Sequence, residues 1–540
     1  MLPCATRVAL LALAAAHAAL AVPTALPAFV PGATSFATAS GAPPAPLVHD
    51  AAQESLPQRY LVALRRGVPT ATFAAHHARI ADAQASASAF HTLDAGHGIR
   101  HVYDLDAEVL GYAGRFSDDV LAYIRAQPEV EFVERDQVVR TTMLEQGPER
   151  ITEMPPRGAD AQSLSLPWDD PFRHQTEAGA PWGLARISHR KGLSLGTFNK
   201  YVYEAAGGEG VTAYIIDTGI YTQHEDFEGR ARWGKTIPTD DVDADEHGHG
   251  THCAGTIGSA TYGVAKKAEL VAVKVLGSGG HGSMSDVTAG VLWAVADAQA
   301  RTAEYAAHPT SAAAQKHRGF VASMSLGGSK SAVLDRAVNG AVHAGLHFAV
   351  AAGNEQQDAC NVSPAGAEAP LTVGASTIAD ERAYFSNVGP CVDVFAPGLN
   401  VLSTWNTGRR ALNTISGTSM ATPHIAGLMA YLLSIYGSED FALLDDDRRA
   451  AHAHAQYAAV RAWAIEALGA LHGLIPSALR PTWAALLPRV RVMSGERIES
   501  ALRPKELRRA LLRFASRGVL DGLDADTANY LAYNNATSVP

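Results

Sequence analysis

Positive charge is scarce in this chain. Its 540 residues carry 44 Lys and Arg against 54 Asp and Glu, a formal net charge of −10 at pH 7. That balance leaves no electrostatic footprint for nucleic acid or for an anionic membrane surface. Long apolar runs are scarce too. Past the N-terminus no stretch approaches the roughly 18 uninterrupted apolar residues of a membrane span. Cysteine is the third shortage, with four in the chain. Cys4 lies in the N-terminal apolar segment, so Cys253, Cys360 and Cys391 remain. In an oxidising compartment an odd count points to one bridge and one free thiol. Spacing alone does not say which two pair.

What is present starts with an N-terminal address. Arg7 precedes the run Val8–Ala16, and Ala19-Leu20-Ala21 supplies a small-x-small cleavage pattern, so residues 1–21 read as a signal peptide. With that segment removed, no membrane association is expected. A chain of this length should hold at least two folded units. Residues 22–56, rich in Ala and Pro, read as a spacer. In 57–140, strands at Arg59–Leu64, Glu108–Phe116 and Glu129–Glu134 alternate with helices at 69–88 and from Ser117 to about Ala126, the order of a small α+β, ferredoxin-like unit. Residues 141–174 hold five prolines without periodicity and read as a linker.

From 175 to 540 the pattern changes. Apolar runs such as Val211–Ile216, Leu270–Leu276, Phe320–Leu326, Leu346–Ala351 and Leu371–Gly374 alternate with helical stretches. Near-continuous apolar strands of that kind imply an α/β fold, a doubly wound and mostly parallel sheet covered on both faces. Residues 301–318 and 437–499 interrupt the pattern and read as surface insertions.

Three segments carry chemistry. Ile216-Asp217-Thr218-Gly219 places an acid at the carboxyl end of a strand. His249–Thr256 and Ser416–His424 supply a histidine and a serine. A serine hydroxyl is a poor nucleophile unless an imidazole takes its proton, and a carboxylate must orient that imidazole. Gly417 and the small Thr418 let a substrate backbone approach Ser419. A helix starting there would turn its amides toward an oxyanion. The order Asp217, His249, Ser419 is one of the known triad orders, and no Gly-x-Ser-x-Gly surrounds Ser419.

These segments, with Trp182–Ser188, Gly263–Lys267, Met324–Gly328, Ala351–Asn354, Phe395–Gly398 and Tyr530–Asn534, resemble the subtilisin-like serine proteases, in their proteinase K and cerevisin branch of fungal enzymes. The 57–140 unit resembles their inhibitory prodomain. The resemblance implies a self-processing zymogen that hydrolyses peptide bonds of proteins with broad specificity, through an acyl-enzyme on Ser419, with cleavage somewhere in 141–178. It implies that Asn354 donates to the oxyanion together with the Ser419 amide. It implies that Gly280, Gly282, Ser325, Leu326 and Gly327 pair with an extended substrate, that Cys253 is a buried free thiol, and that Cys360 and Cys391 form the bridge. His281 is left between a specific role and an exposed loop residue. Partners are protein and peptide substrates and the chain's own prodomain, and a monomer is expected. No cofactor is required and no metal ligand set is legible. The acidic run Asp240–Glu246 leaves room for structural calcium or for basic substrates, against a plain solvated loop. A kexin-like processing protease and a catalytically silent binding scaffold are the alternatives. Asn361 and Asn535 open glycosylation sequons, and the enzyme is expected outside the cell or in the vacuole.

Overall fold

Val211-Thr-Ala-Tyr-Ile-Ile216 has no charged residue before Asp217, and such a strand is stable only with both faces covered. The structure, a computed structural model, describes residues 30–31, 43–48, 54–90, 96–105, 108–144, 151–154, 174–436, 498 and 500–536. The signal segment 1–21, nearly all of the 437–499 insertion, the sequon threonine at 537, and most of the spacer and linker lie outside the described residues.

In the N-terminal unit the principal elements are β1 (Ser55–Leu64), α1 (Thr70–Phe90), β2 (Gly98–Leu105), β3 (Val109–Arg115), α2 (Asp118–Arg125) and β4 (Val130–Thr141). After β5 (Thr152–Glu153) come β6 (Val211–Asp217), β7 (Ala231–Thr236), α3 (His249–Gly258), β8 (Glu269–Lys274), β9 (His281–Ser283) and α4 (Met284–Ala307). There follow β10 (Gly319–Met324), β11 (Leu326–Ser329), α5 (Ala332–Ala344), β12 (His347–Ala351), β13 (Leu371–Ser376) and β14 (Val394–Pro397). The last are β15 (Val401–Thr404), β16 (Ala411–Ile415), α6 (Thr418–Ile435) and α7 (Pro504–Phe514).

The large sheet runs β7-β8-β6-β10-β12-β13-β14, all parallel, and two short C-terminal strands extend it. Alternation along β6 divides the core. Val211, Ala213 and Ile215 face one cluster, with α3 and α6, while Tyr214 and Ile216 face the other, with α4 and α5. The fold is therefore the doubly wound α/β expected from the apolar runs. The stretch 301–318 is not free of structure: α4 continues to Ala307 and a short helix covers Ala312–Lys316.

The N-terminal unit has one strand more than the alternation of its sequence suggests. β2, Gly-Ile-Arg-His-Val-Tyr-Asp-Leu, looks too polar for a strand. The reason is where its residues point. Tyr103 and Leu105, with Leu61, Ala63, Val109, Ala113 and Phe132, join the cluster containing α4 and α5. The His101 ring lies 2.7 Å from Asp286, and the Tyr103 hydroxyl donates to the Ser285 carbonyl at 2.9 Å. One face of this sheet is thus buried against the C-terminal unit, and the other packs on α1 and α2.

β4 ties the units together. Its Glu134 accepts from Ser331 Oγ at 2.6 Å and from the amides of Ala332 and Val333, so it caps α5. Asp136 accepts from the Ser285 amide at 3.0 Å and its hydroxyl at 2.6 Å, at the start of α4. Helix N-termini favour such anions. Burial raises both pKa values, with the hydrogen bonds opposing it. Cys360 and Cys391 form the disulfide, and Cys253 is the free, buried cysteine. A bridge across this span contributes about 3–4 kcal/mol in the chain-entropy account.

Glu134→Ala should destabilise the precursor by about 1–3 kcal/mol, because it strips a buried cap. Thermal unfolding in a Ser419→Ala background, where the chain stays intact, is the measurement, and an unchanged melting midpoint contradicts the capping role.

Candidate active site

Three elements deliver the three side chains to one end of the sheet. Asp217 is the last residue of β6, His249 the first of α3 and Ser419 the second of α6. All are buried. Asp217 Oδ1 accepts from the Thr218 amide and from His249 Nδ1, each at 2.7 Å. With Nδ1 donating to the carboxylate, Nε2 is left as the acceptor, the tautomer in which an imidazole can take a proton. α3 can sit this close to β6 because residue 250 is glycine: a Cβ there would lie 2.1 Å from the Gly219 carbonyl oxygen.

Ser419 Oγ does not point at the imidazole. It donates to the Ser325 carbonyl at 3.0 Å and lies 2.8 Å from Thr142 Oγ1. His249 Nε2 has no hydrogen-bond partner among the described residues. Ser419 Oγ is therefore turned to Ser325 and Thr142, and rotation about the Cα–Cβ bond would turn it toward Nε2. Catalytic hydrogen bonds often close only in the reacting complex.

Burial is the largest influence on His249 and pushes it down. The Asp217 carboxylate, hydrogen-bonded to Nδ1, leads the effects that outweigh it, and the imidazole lies well above its ordinary value. Cys253 sits one helical turn on, with Sγ 4.0 Å from His249 Nδ1. Burial raises its own pKa, so the thiol stays protonated and donates to the Ser419 carbonyl at 3.6 Å. That carbonyl is open to it because Pro423, four residues on, has no amide hydrogen to offer. Ser325 Oγ donates to the same oxygen at 3.0 Å.

The cleft is filled by the chain itself. β4 leaves the N-terminal sheet and enters between β9 and β11, antiparallel to both: His281 pairs with Arg140, Gly282 with Val139, Leu326 with Thr141 and Gly327 with Arg140. The Thr141 amide donates to Gly280 O at 3.0 Å and the Thr142 amide to Ser325 O at 3.3 Å. The Thr142 carbonyl oxygen then receives Asn354 Nδ2 at 2.6 Å and the Ser419 amide at 3.2 Å. Asn354 is oriented by its Oδ1, which accepts from the Thr418 amide and hydroxyl, both at 2.9 Å. Beyond it the Leu144 amide donates to Ser416 O at 2.9 Å. Gly417, at φ 153°, permits the approach: a Cβ there would stand 2.4 Å from the Thr142 oxygen.

Of the residues expected from sequence, Gly280, Gly282, Ser325, Leu326 and Gly327 pair with or bond to Val139–Thr142, Asn354 and Ser419 meet the Thr142 carbonyl, and Asp217 pairs with His249. Thr142, Met143 and Leu144 were read as linker, and the structure places them in the cleft instead. The alternation of β4, which continues through Val138 and Val139 to Thr141, is the signal that extends the strand that far. His281 pairs with Arg140 through its main chain, while its exposed ring is turned to Gly279 O. The acidic run does not converge on a common point: Asp245 caps α3 and holds Thr218 and Thr251, Asp241 lies 3.4 Å from Lys274, and Asp243 accepts from Thr236. Among the described residues, one group of His, Cys and acid side chains brings its ligand atoms within 4.8 Å of one another, and it is Asp217, His249 and Cys253 themselves.

Residues 208–466 match the model of the subtilase family, and residues 59–142 match that of peptidase inhibitor I9. The chain is 43% identical to alkaline protease 2 of Aspergillus fumigatus over 504 residues, which cover 92% of this chain and 84% of that protein. It is 44% identical, over 92% of its length and 91% of the relative's, to the subtilisin-like serine protease Pen c 2 of Penicillium citrinum. A crystal structure of a cold adapted subtilisin-like serine proteinase matches at 36% identity and a TM-score of 0.48, covering 66% of this chain and 99% of that one.

An imidazole held above its ordinary value is the free base, able to take a proton from a hydroxyl, only at higher pH. Hydrolysis should therefore be lost as pH falls through the raised pKa of His249, with the acid limb of the kcat/KM profile inflecting above 6.5. An inflection below that value contradicts the Asp217–His249 coupling. Asn354→Ala should lower kcat by roughly 10²–10³ with a smaller change in KM, read by steady-state kinetics.

Proposed function

The chain belongs to the subtilase family, and from that premise we propose that Ser419 is its nucleophile, His249 the general base and Asp217 the group that orients it, with the chain's own Thr142–Met143 bond as the first to be cut. The protein is a serine protease that carries an I9-type inhibitor prodomain. One observation supports the assignment above the rest: a main-chain carbonyl, that of Thr142, sits between two donors beside the serine, while its flanking amides bond to Ser325 and Ser416.

The steps follow from these positions. Ser419 Oγ turns to His249 Nε2, gives up its proton and attacks the Thr142 carbonyl carbon. The oxygen takes the negative charge and is held by Asn354 Nδ2 and the Ser419 amide. His249 then returns the proton to the Met143 nitrogen, the peptide bond breaks, and Thr142 remains as an ester on Ser419. Water, deprotonated by the same imidazole, releases it.

Broad specificity is supported by the way the strand is held. Most of its contacts are main-chain hydrogen bonds to β9 and β11, which do not depend on side-chain identity. A preference for paired basic residues fits poorly, since Thr141 and Thr142 precede the proposed bond. A silent scaffold fits poorly because Asp217, His249, Ser419 and Asn354 are all present, with Asp217 hydrogen-bonded to His249 and Asn354 to the Thr142 carbonyl. We read the enzyme as a monomer acting in the secretory pathway, outside the cell or in the vacuole, on protein and peptide substrates and without nucleic acid. The run after Arg7 and the disulfide support that placement, and Asn361, exposed, is the better placed of the two sequon asparagines for a glycan. The mechanism needs no metal, and the acidic run, spent on helix capping and ion pairing, offers no ready calcium cage.

Mass spectrometry of the maturing chain should find one fragment ending at Thr142 and another beginning at Met143. Ser419→Ala should leave the precursor whole. Processing at that bond in the Ser419→Ala chain contradicts the assignment of the nucleophile.

A further inference from the structure

The polypeptide on the leaving-group side of Thr142 is held at two places. Leu144 is bonded to Ser416 O. Farther on, β5 lies antiparallel on the edge of β16, with Thr152 opposite Leu412 and Glu153 opposite Ala411. Met154 continues the pairing: its amide donates to Arg410 O at 2.9 Å, and its own carbonyl accepts from Arg410 Nη2 at 2.6 Å. Its side chain is 6% exposed and packs with Tyr262 and Leu412, with Leu402 against them.

The platform beneath is fixed. β15 and β16 form an antiparallel pair, and β16 runs directly into Ser416 and the catalytic serine. Ser403 Oγ donates to His252 O at 2.9 Å, Thr404 Oγ1 donates to Thr251 O at 2.8 Å, and His252 Nε2 donates to Val401 O at 3.0 Å. The hairpin is thereby locked to α3, the helix that carries His249. Without β5, the outer edge of β16 has unpaired main-chain groups beside an apolar socket, the features that capture an extended strand.

We propose that the edge of β16, with the socket of Tyr262, Leu402 and Leu412, is a second polypeptide-binding site on the leaving-group side of the cleft. It takes an extended strand with a large apolar side chain, and in the precursor its occupant is the chain's own Thr152–Met154. The proposal rests on Thr142–Met143 being the bond that is cut. Cutting it does not free the new N-terminal segment, because Thr152–Met154 stays anchored on β16 and the chain remains joined to the rest of the enzyme beyond it. The segment is an intramolecular ligand, so its effective concentration is high and it competes with any substrate that extends past the cleaved bond. The cleft is fully open only once the segment has left β16 or been cut again.

The test compares the full chain with its Met154→Lys and Met154→Ala variants, taking the population whose N-terminus mass spectrometry identifies as Met143. For each, KM is measured for a peptide with four residues beyond the cleaved bond and for one with only a chromogenic anilide there. Losing the buried methionine should lower the ratio of the two KM values by about tenfold in Met154→Lys, and by less in Met154→Ala. Equal ratios in all three enzymes overturn the proposal alone. Failure of a Met143 N-terminus to form overturns the reading of the cleaved bond, and the proposal with it.

Discussion

The two hydrogen bonds to the Thr142 carbonyl impose their geometry on the rest of the molecule. For Asn354 Nδ2 and the Ser419 amide to meet one oxygen, the end of β12 and the start of α6 must be held within a hydrogen bond of each other, which Asn354 Oδ1 does by accepting from Thr418. Thr142 can reach that point only if β4 enters the cleft extended, and β9 and β11 hold it so on both sides. β4 is at once a strand of one unit's sheet, paired with β1 and with the short strand Leu47–Val48, and the strand that fills the other unit's cleft. The main-chain bonds proposed to hold a substrate therefore hold the inhibitor strand.

Electrostatics at the site follow from burial. In a dry pocket the Asp217 carboxylate acts strongly on His249, and the imidazole is raised although burial alone would lower it. His252 and His424, equally buried but without a carboxylate partner, move the other way, to about 3 and about 4. The contrast separates a histidine placed to carry a proton from two that stay neutral and structural. His252 donates its hydrogen bond to the hairpin of β15 and β16, and His424 spends its own on Met420 O. Cys253 belongs with them. Protonated and turned to the Ser419 carbonyl, it supplies with Ser325 the hydrogen bonds that Pro423 removes from α6.

How much of this could be read from sequence depended on whether each residue acts within its own segment. β6, β10 and β12 are covered on both faces, so their runs are apolar throughout and legible. Asp217, His249 and Ser419 lie at element ends inside distinctive segments, and Asn354 follows a glycine that marks the turn. β2 was not legible because its apolar side chains serve another unit's core. Asp245 looked like one more acid in a solvated run, since nothing local shows that it caps α3 and binds Thr218 and Thr251. The bond proposed to be cut was hidden for the same reason. Thr142 and Met143 are ordinary residues, and what distinguishes them is a carbonyl placed by strands more than a hundred residues away.

Cutting a bond and opening a cleft are separate events in this arrangement. Scission after Thr142 removes none of the contacts made by Glu134 and Asp136, nor the packing of Tyr103 and Leu105 on α4 and α5. The N-terminal unit therefore stays bound as a product whose new terminus still lies on Ser419. Release exposes one apolar face of its sheet to water, and a unit this small has only its remaining core, beneath α1 and α2, to keep it folded. In the proposed scheme, rebinding requires that face to return to α4 and α5 with both acids back at their helix ends, so digestion of the released unit would leave the cleft open although the cut itself makes only one new chain end on each side.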